Sequence, residues 1–206
     1  MEKKDILKKY VEFALENGKE PSNMYQFAKL LNVEEKSLYE CFTSLDSLES
    51  EVWKNTFETA ISRLNADENY FNYSAKEKLL AFFFTWVEEL AEIRSFVLMK
   101  KCKFDLPEEK SLKESKEVFL DYISDVLRLG KETKEISDRM WISNNYGNAL
   151  WLEVLFILRF WINDKSPKFE KTDAAIEKAV NFSFELMGSN ILDAALDLGK
   201  FVWANK

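Results

Sequence analysis

The chain has 206 residues, with 29 Lys plus Arg against 36 Asp plus Glu, a formal net charge of −7, two Cys and no His. Without histidine neither a Cys/His zinc site nor a Ser/His/Asp triad can be assembled, and no acidic spacing resembles a calcium loop, so no catalytic residue, metal ligand or cofactor is expected. Five Gly and three Pro among abundant Leu, Glu, Lys, Phe and Ala leave few breakers and many helix formers, which predicts an all-α fold.

In chain order, apolar residues at three- and four-residue steps (Ile6, Leu7, Tyr10, Val11, Phe13, Ala14) predict a helix from about Lys4 to Asn17, stopped by Gly18. Pro21-Ser22-Asn23 offers capping oxygens to a short helix from Met24 to Leu31, and Asn32 tolerates the left-handed conformation that would end it. A third helix, Glu35 to Phe42, follows so closely that the pair has helix-turn-helix spacing, with Leu38 and Phe42 packing beneath the turn. Thr43 or Ser44 caps a long fourth helix reaching about Asn65. Further helices are predicted at about Ala75 to Cys102, Glu109 to Gly130, Ile136 to Asn163 and Asp173 to Met187, with an amphipathic segment at Ile191 to Ala204. Pro107, Gly130, Pro167 and Gly188 punctuate them.

The most apolar stretches, Leu79 to Val87 and Ala149 to Ile162, fall short of the roughly 20 apolar residues of a membrane span, so no integral membrane association is expected. No basic segment leads into an apolar one at the N-terminus, and a cytoplasmic location is the corresponding expectation.

Phe27-Ala28-Lys29, then Asn32-Val33-Glu34-Glu35-Lys36-Ser37-Leu38-Tyr39-Glu40-Cys41-Phe42, followed by Asp46 and Leu48, resemble the tetracycline-repressor family in order and spacing. The resemblance implies a three-helix DNA-binding domain over residues 1–48 and a helical ligand-binding and dimerisation domain over 49–206. It implies a ligand-responsive transcriptional regulator whose partner is an operator in double-stranded DNA. By position, Lys36, Ser37 and Tyr39 would face the duplex, with Ser22, Asn23 and Lys29 as further phosphate contacts. Two positions depart from the pattern: the turn Gly is Asn32, and the Lys that usually opens the fourth helix is Leu45. Residues 1–50 carry seven Lys and no Arg against ten Asp and Glu, a balance of −3 where DNA binding favours a positive one. That charge motivates the alternative of a protein that keeps this fold, has lost DNA and binds a lipid or other apolar ligand.

From Leu79 onward large apolar residues are dense, and burial in a helical core accounts for most of them. The resemblance implies a cavity for a small apolar or amphipathic effector, with Phe83, Trp86, Phe119, Tyr122, Trp151 and Glu153 as candidate lining; Arg159, Asn144, Asn145 and Asn148 are further polar candidates. It also implies a homodimer through the two helices at about 136–163 and 173–187, where Gly147 and Ala149 would permit close helix approach.

Overall fold

Gly18 takes the left-handed conformation (φ 64°) that ends α1 (Lys3–Asn17), a backbone state open to glycine at little cost. The Asn23 side chain accepts the Gln26 N–H at 2.8 Å and so caps α2 (Met24–Leu31), which Asn32 terminates at φ 54°, ψ 43°. Ser44 and Ser47 cap α4 (Leu45–Asn65) reciprocally: the Ser47 N–H donates to Ser44 Oγ, and the Thr43 and Ser44 N–H groups donate to Ser47 Oγ. These local features end α1, bound α2 and start α4.

The computed structural model describes residues 2–102, 106–107, 109–138 and 145–188, and every regular element among them is helical. After α4 come a 3₁₀ turn (Glu68–Asn72), α5 (Ala75–Glu92), α6 (Arg94–Lys100), α7 (Glu109–Glu132), α8 (Tyr146–Asn163) and α9 (Glu170–Gly188). No described helix is long and apolar enough to cross a membrane.

Four boundaries correct the sequence expectations. The third helix, α3, is a single turn, Glu35–Leu38, because the chain then tightens into three-residue hydrogen-bonded turns, Tyr39 N–H to Lys36 O and Cys41 N–H to Leu38 O. The helix expected over Ala75 to Cys102 breaks at Ile93 (φ −116°, ψ 23°), where no Gly or Pro marks the sequence. Gly130 lies inside α7 rather than ending it; a Cβ there would stand 2.6 Å from Ile136 Cδ1 and 3.1 Å from the Ala75 Cβ, so it is glycine for close packing. Ile136 does not begin a helix: its N–H is held by Gly130 O, and that of Ser137 by Met187 O at 3.0 Å. The segment 191–204 and residues 139–144 lie outside the described residues.

Packing divides the chain into two units, the first running to Arg63 and resuming over Thr85–Phe119, the second comprising Leu64–Phe84 and the described residues from Leu120 onward. In the first, Tyr10, Phe27, Leu38, Phe42 and Leu48 form the centre of the three-helix cluster together with Phe96 of α6. Tyr10 meets Phe27 and Phe96 edge-on at ring distances of 5.8 and 6.0 Å. Lys100 is held between Glu20 and Glu49 at 2.8 and 2.5 Å. Trp86 donates its indole N–H to Thr56 Oγ1 at 3.0 Å, and the Thr56 hydroxyl donates to Trp53 O. In the second unit, Leu79, Phe82, Phe83, Ile157, Trp161, Ile176 and Val180 are fully buried.

A polar side chain in the core of α7 is poorly matched to its surroundings. Ser115 of α7 is wholly buried and its hydroxyl has no hydrogen-bond partner among the described residues. Ser115→Ala removes that unsatisfied group and improves helix propensity, so it is expected to stabilise the protein by about 1 kcal/mol, raising Tm by about 3 °C in a thermal melt.

Candidate functional site

Two surfaces carry side chains that the packing does not consume. The first is the outer face of α2, the turn and α3. All six residues named for DNA contact, Ser22, Asn23, Lys29, Lys36, Ser37 and Tyr39, are exposed, while Phe27, Ala28, Leu38 and Phe42 on the other side are buried. Some of the six are engaged locally. Asn23 caps α2, the Ser22 N–H donates to Gln26 Oε1, and the Ser37 hydroxyl donates to Glu34 O at 2.7 Å. Tyr39 donates its phenol O–H to Glu35 Oε1 at 2.9 Å, and that hydrogen bond raises the phenol above its ordinary titration range. Lys29 and Lys36 are exposed and make no ion pair with any described residue. Leu45, at the position where a Lys was expected, packs against the core cluster.

The acidity of the module is partly neutralised from outside residues 1–50. Lys100 pairs with Glu20 and Glu49, and Lys110 with Asp46 at 3.1 Å. Glu34 and Glu40 stay exposed beside α3.

The second surface is formed by α8 and α9. Leu152 and Phe156 on α8 and Phe182 on α9 are 66%, 51% and 61% exposed, which is unusual for side chains of this size. They border a groove of about 740 Å³ with Phe160, a run of alanines (Ala174, Ala175, Ala179), Glu153, Ser183, Lys171 and Lys178. Glu153 is buried at its edge; Ser183 donates a short hydrogen bond to Glu153 Oε2, and Glu153 Oε1 has no partner among the described residues. Burial pushes the Glu153 carboxyl up to about 7, against the opposing pull of the Ser183 bond.

The candidate effector residues are distributed between the two packing units. Trp86 and Phe119 belong to the first, both fully buried and both against Phe57, at ring distances of 4.7 and 6.5 Å. Phe83, Tyr122, Trp151 and Glu153 belong to the second. There Phe82 packs against both Phe83 and Tyr122, at ring distances of 5.6 and 5.0 Å. The Tyr122 hydroxyl is shared with Tyr70 at 2.7 Å and reaches Lys78 O at 3.0 Å, and burial drives its titration far above the ordinary range. Of these six, Glu153 alone lines the α8–α9 groove. Asn145, Asn148 and Arg159 are exposed, and Asn144 lies outside the described residues. Sequence reasoning named the two helices of the groove but not Leu152, Phe156 or Phe182 as its exposed apolar members. Their spacing along the helices was visible, but which side of α8 and α9 the protomer itself would cover was not.

A family model described as the tetracyclin repressor-like C-terminal domain matches residues 78–202. The chain belongs to the tetracycline-repressor family. A protein from Syntrophomonas wolfei described as a TetR-family transcriptional regulator shares the fold, with a TM-score of 0.66 at 16% sequence identity over 91% of this chain and 95% of that chain. No curated protein matches it. The tetracycline-repressor match lies in the C-terminal part of the chain, whereas the motif resemblance lies in residues 27–48, so the two draw on separate stretches of sequence.

Proposed function

We propose that this tetracycline-repressor-family protein is a ligand-responsive transcriptional regulator acting in the cytoplasm, a homodimer that binds a near-palindromic operator in double-stranded DNA. Residues 1–48 read the duplex, and residues 49–206 hold the effector and the partner copy. The observation that carries this reading is the sidedness of the helix-turn-helix: Phe27, Ala28, Leu38 and Phe42 are buried in the core cluster, and Lys29, Lys36, Ser37 and Tyr39 all remain outside. A mobility-shift assay with the gene's own upstream region at low salt is expected to show retardation at micromolar dimer. No retardation at low salt, with lipid co-purifying by mass spectrometry, would instead support a binding protein that has left DNA.

Dimerisation is assigned to α8 and α9. Large side chains dominate the outward stripe of α8 and alanines that of α9 until Phe182, so a second copy related by a two-fold axis sets knobs against holes in both directions. The effector is small and apolar or amphipathic. Because Phe83, Trp86 and Phe119 are fully buried, an effector using the aromatic set of either unit enters by displacing packed side chains.

Glu35 sets a brake on the DNA reading. It lies beside the recognition face as a negative charge and occupies the Tyr39 hydroxyl that would otherwise be available to a phosphate. Glu35→Ala, which removes both the charge and the acceptor, is therefore expected to tighten binding of the dimer to duplex DNA by about three- to tenfold at low salt, with the gain shrinking as salt rises. Titration by fluorescence anisotropy checks it, and weaker binding by the variant would show that Glu35 supports the contact rather than opposing it.

A further inference from the structure

Within the α8–α9 groove one group does not suit an apolar surface. Glu153 sits beside Leu152 and Phe156 with its Oε2 accepting from Ser183 and its Oε1 buried and without a partner among the described residues. The other charged groups lining the groove are Lys171 and Lys178, both contributed by α9; α8 contributes no other charged side chain to it. Both lysines are exposed at the groove, and neither makes an ion pair with a described residue.

We infer that Glu153 makes the self-association of this chain proton-linked, the carboxyl passing from ionised to neutral as a second copy covers the groove. This rests on the dimer reading above. Covering the groove removes the remaining water from a carboxyl that has only one hydrogen-bond donor among the described residues, and an ionised carboxylate is disfavoured there far more than a neutral one. A neutral carboxyl gains an O–H donor that satisfies it within a dry interface. The position of Glu153 in the protomer, already pushed up to about 7, places the transition where modest acidity changes its charge. The sign follows from linkage. A group whose pKa is higher in the dimer than in the free protomer contributes affinity that is present below the protomer value and lost as pH rises through the dimer value. Two-fold symmetry brings two such carboxyls, so up to two protons are taken up per dimer.

Sedimentation equilibrium of the full chain from pH 5.5 to 8.5 tests this. The dimer dissociation constant is expected to rise by at least about tenfold between pH 6 and 8. Glu153→Gln, which is neutral at every pH, is expected to stay tightly dimeric across the range. Ser183→Ala removes the bond that favours the ionised form and is expected to move the midpoint to higher pH, a shift that a purely structural role for Ser183 would not produce. A wild-type dimer whose affinity does not vary with pH overturns the inference while leaving the dimer intact. So does a Glu153→Gln dimer weaker than wild type at neutral pH, which would show Glu153 ionised and paired with Lys171 or Lys178 of the second copy. A chain monomeric at every pH overturns the inference and the dimer reading together.

Discussion

Phe156→Asp is expected to convert the protein to a monomer that keeps its fold. Phe156 is half exposed in the protomer, so the substitution creates no cavity and buries no charge until a second copy arrives. An aromatic lost from the centre of an interface costs about 2 kcal/mol or more. A two-fold axis applies the loss twice, for about 4 kcal/mol and a dissociation constant raised about a thousandfold. Light scattering should report the protomer mass, circular dichroism and Tm should stay near wild type, and operator retardation should fall with dimerisation because each half-site is then bound singly. A dimeric Phe156→Asp variant would place the interface elsewhere.

The second large effect is at Asp164, between α8 and α9. Its Oδ1 accepts from the Ser166 N–H and hydroxyl, both at 2.7 Å, and its Oδ2 from the Thr172 N–H and hydroxyl at 2.9 and 2.7 Å. The bond to the Thr172 N–H satisfies a first-turn amide of α9, so Asp164 acts as a cap reaching in from outside the helix. Asp164→Ala leaves the fully buried Thr172 hydroxyl and amide without that acceptor, and a loss of about 3 kcal/mol is expected in urea unfolding. Burial alone would raise the Asp164 carboxyl, but the four hydrogen bonds outweigh it and hold the group down at about 2. A depressed carboxyl contributes stability that is present above its unfolded value near 3.9 and lost as pH falls through its folded one. The difference between wild type and Asp164→Ala should therefore be full at pH 6 and shrink between about pH 4 and pH 2. A difference independent of pH would mean that the cap works without its charge.

Helices α1, α2 and α4 were readable from sequence because their ends are set by side chains acting within a few residues, Gly18 and Asn32 in the left-handed region and Asn23 and Ser44 as caps, whereas α3 was legible only at its start. The breaks that were missed have tertiary causes. No Gly or Pro interrupts Leu90 to Phe96, and the helix that follows the turn at Ile93 buries Phe96 and Val97. Gly130 and Gly147 read as a breaker and as an aid to subunit approach. Within the protomer Gly130 instead accommodates Ile136, and a Cβ at Gly147 would stand 3.2 Å from Leu120 Cδ2 of α7. The candidate DNA residues follow directly from motif spacing, since a helix-turn-helix fixes which side is core. The outward face of α8 and α9 does not, because both sides of α8 are apolar.

Phe96 also bears on how the module could be exchanged between relatives. It lies at the centre of the cluster that seats the helix-turn-helix, against Tyr10 and Trp53, yet it is encoded some fifty residues downstream of the motif. Lys100, one turn further on, holds Glu20 and Glu49. A graft cut after the fourth helix begins would carry the recognition surface but leave behind the ring and the cation that hold it in place. The helix-turn-helix module is thus transplantable only together with α6, and the genetic unit that seats it is discontinuous.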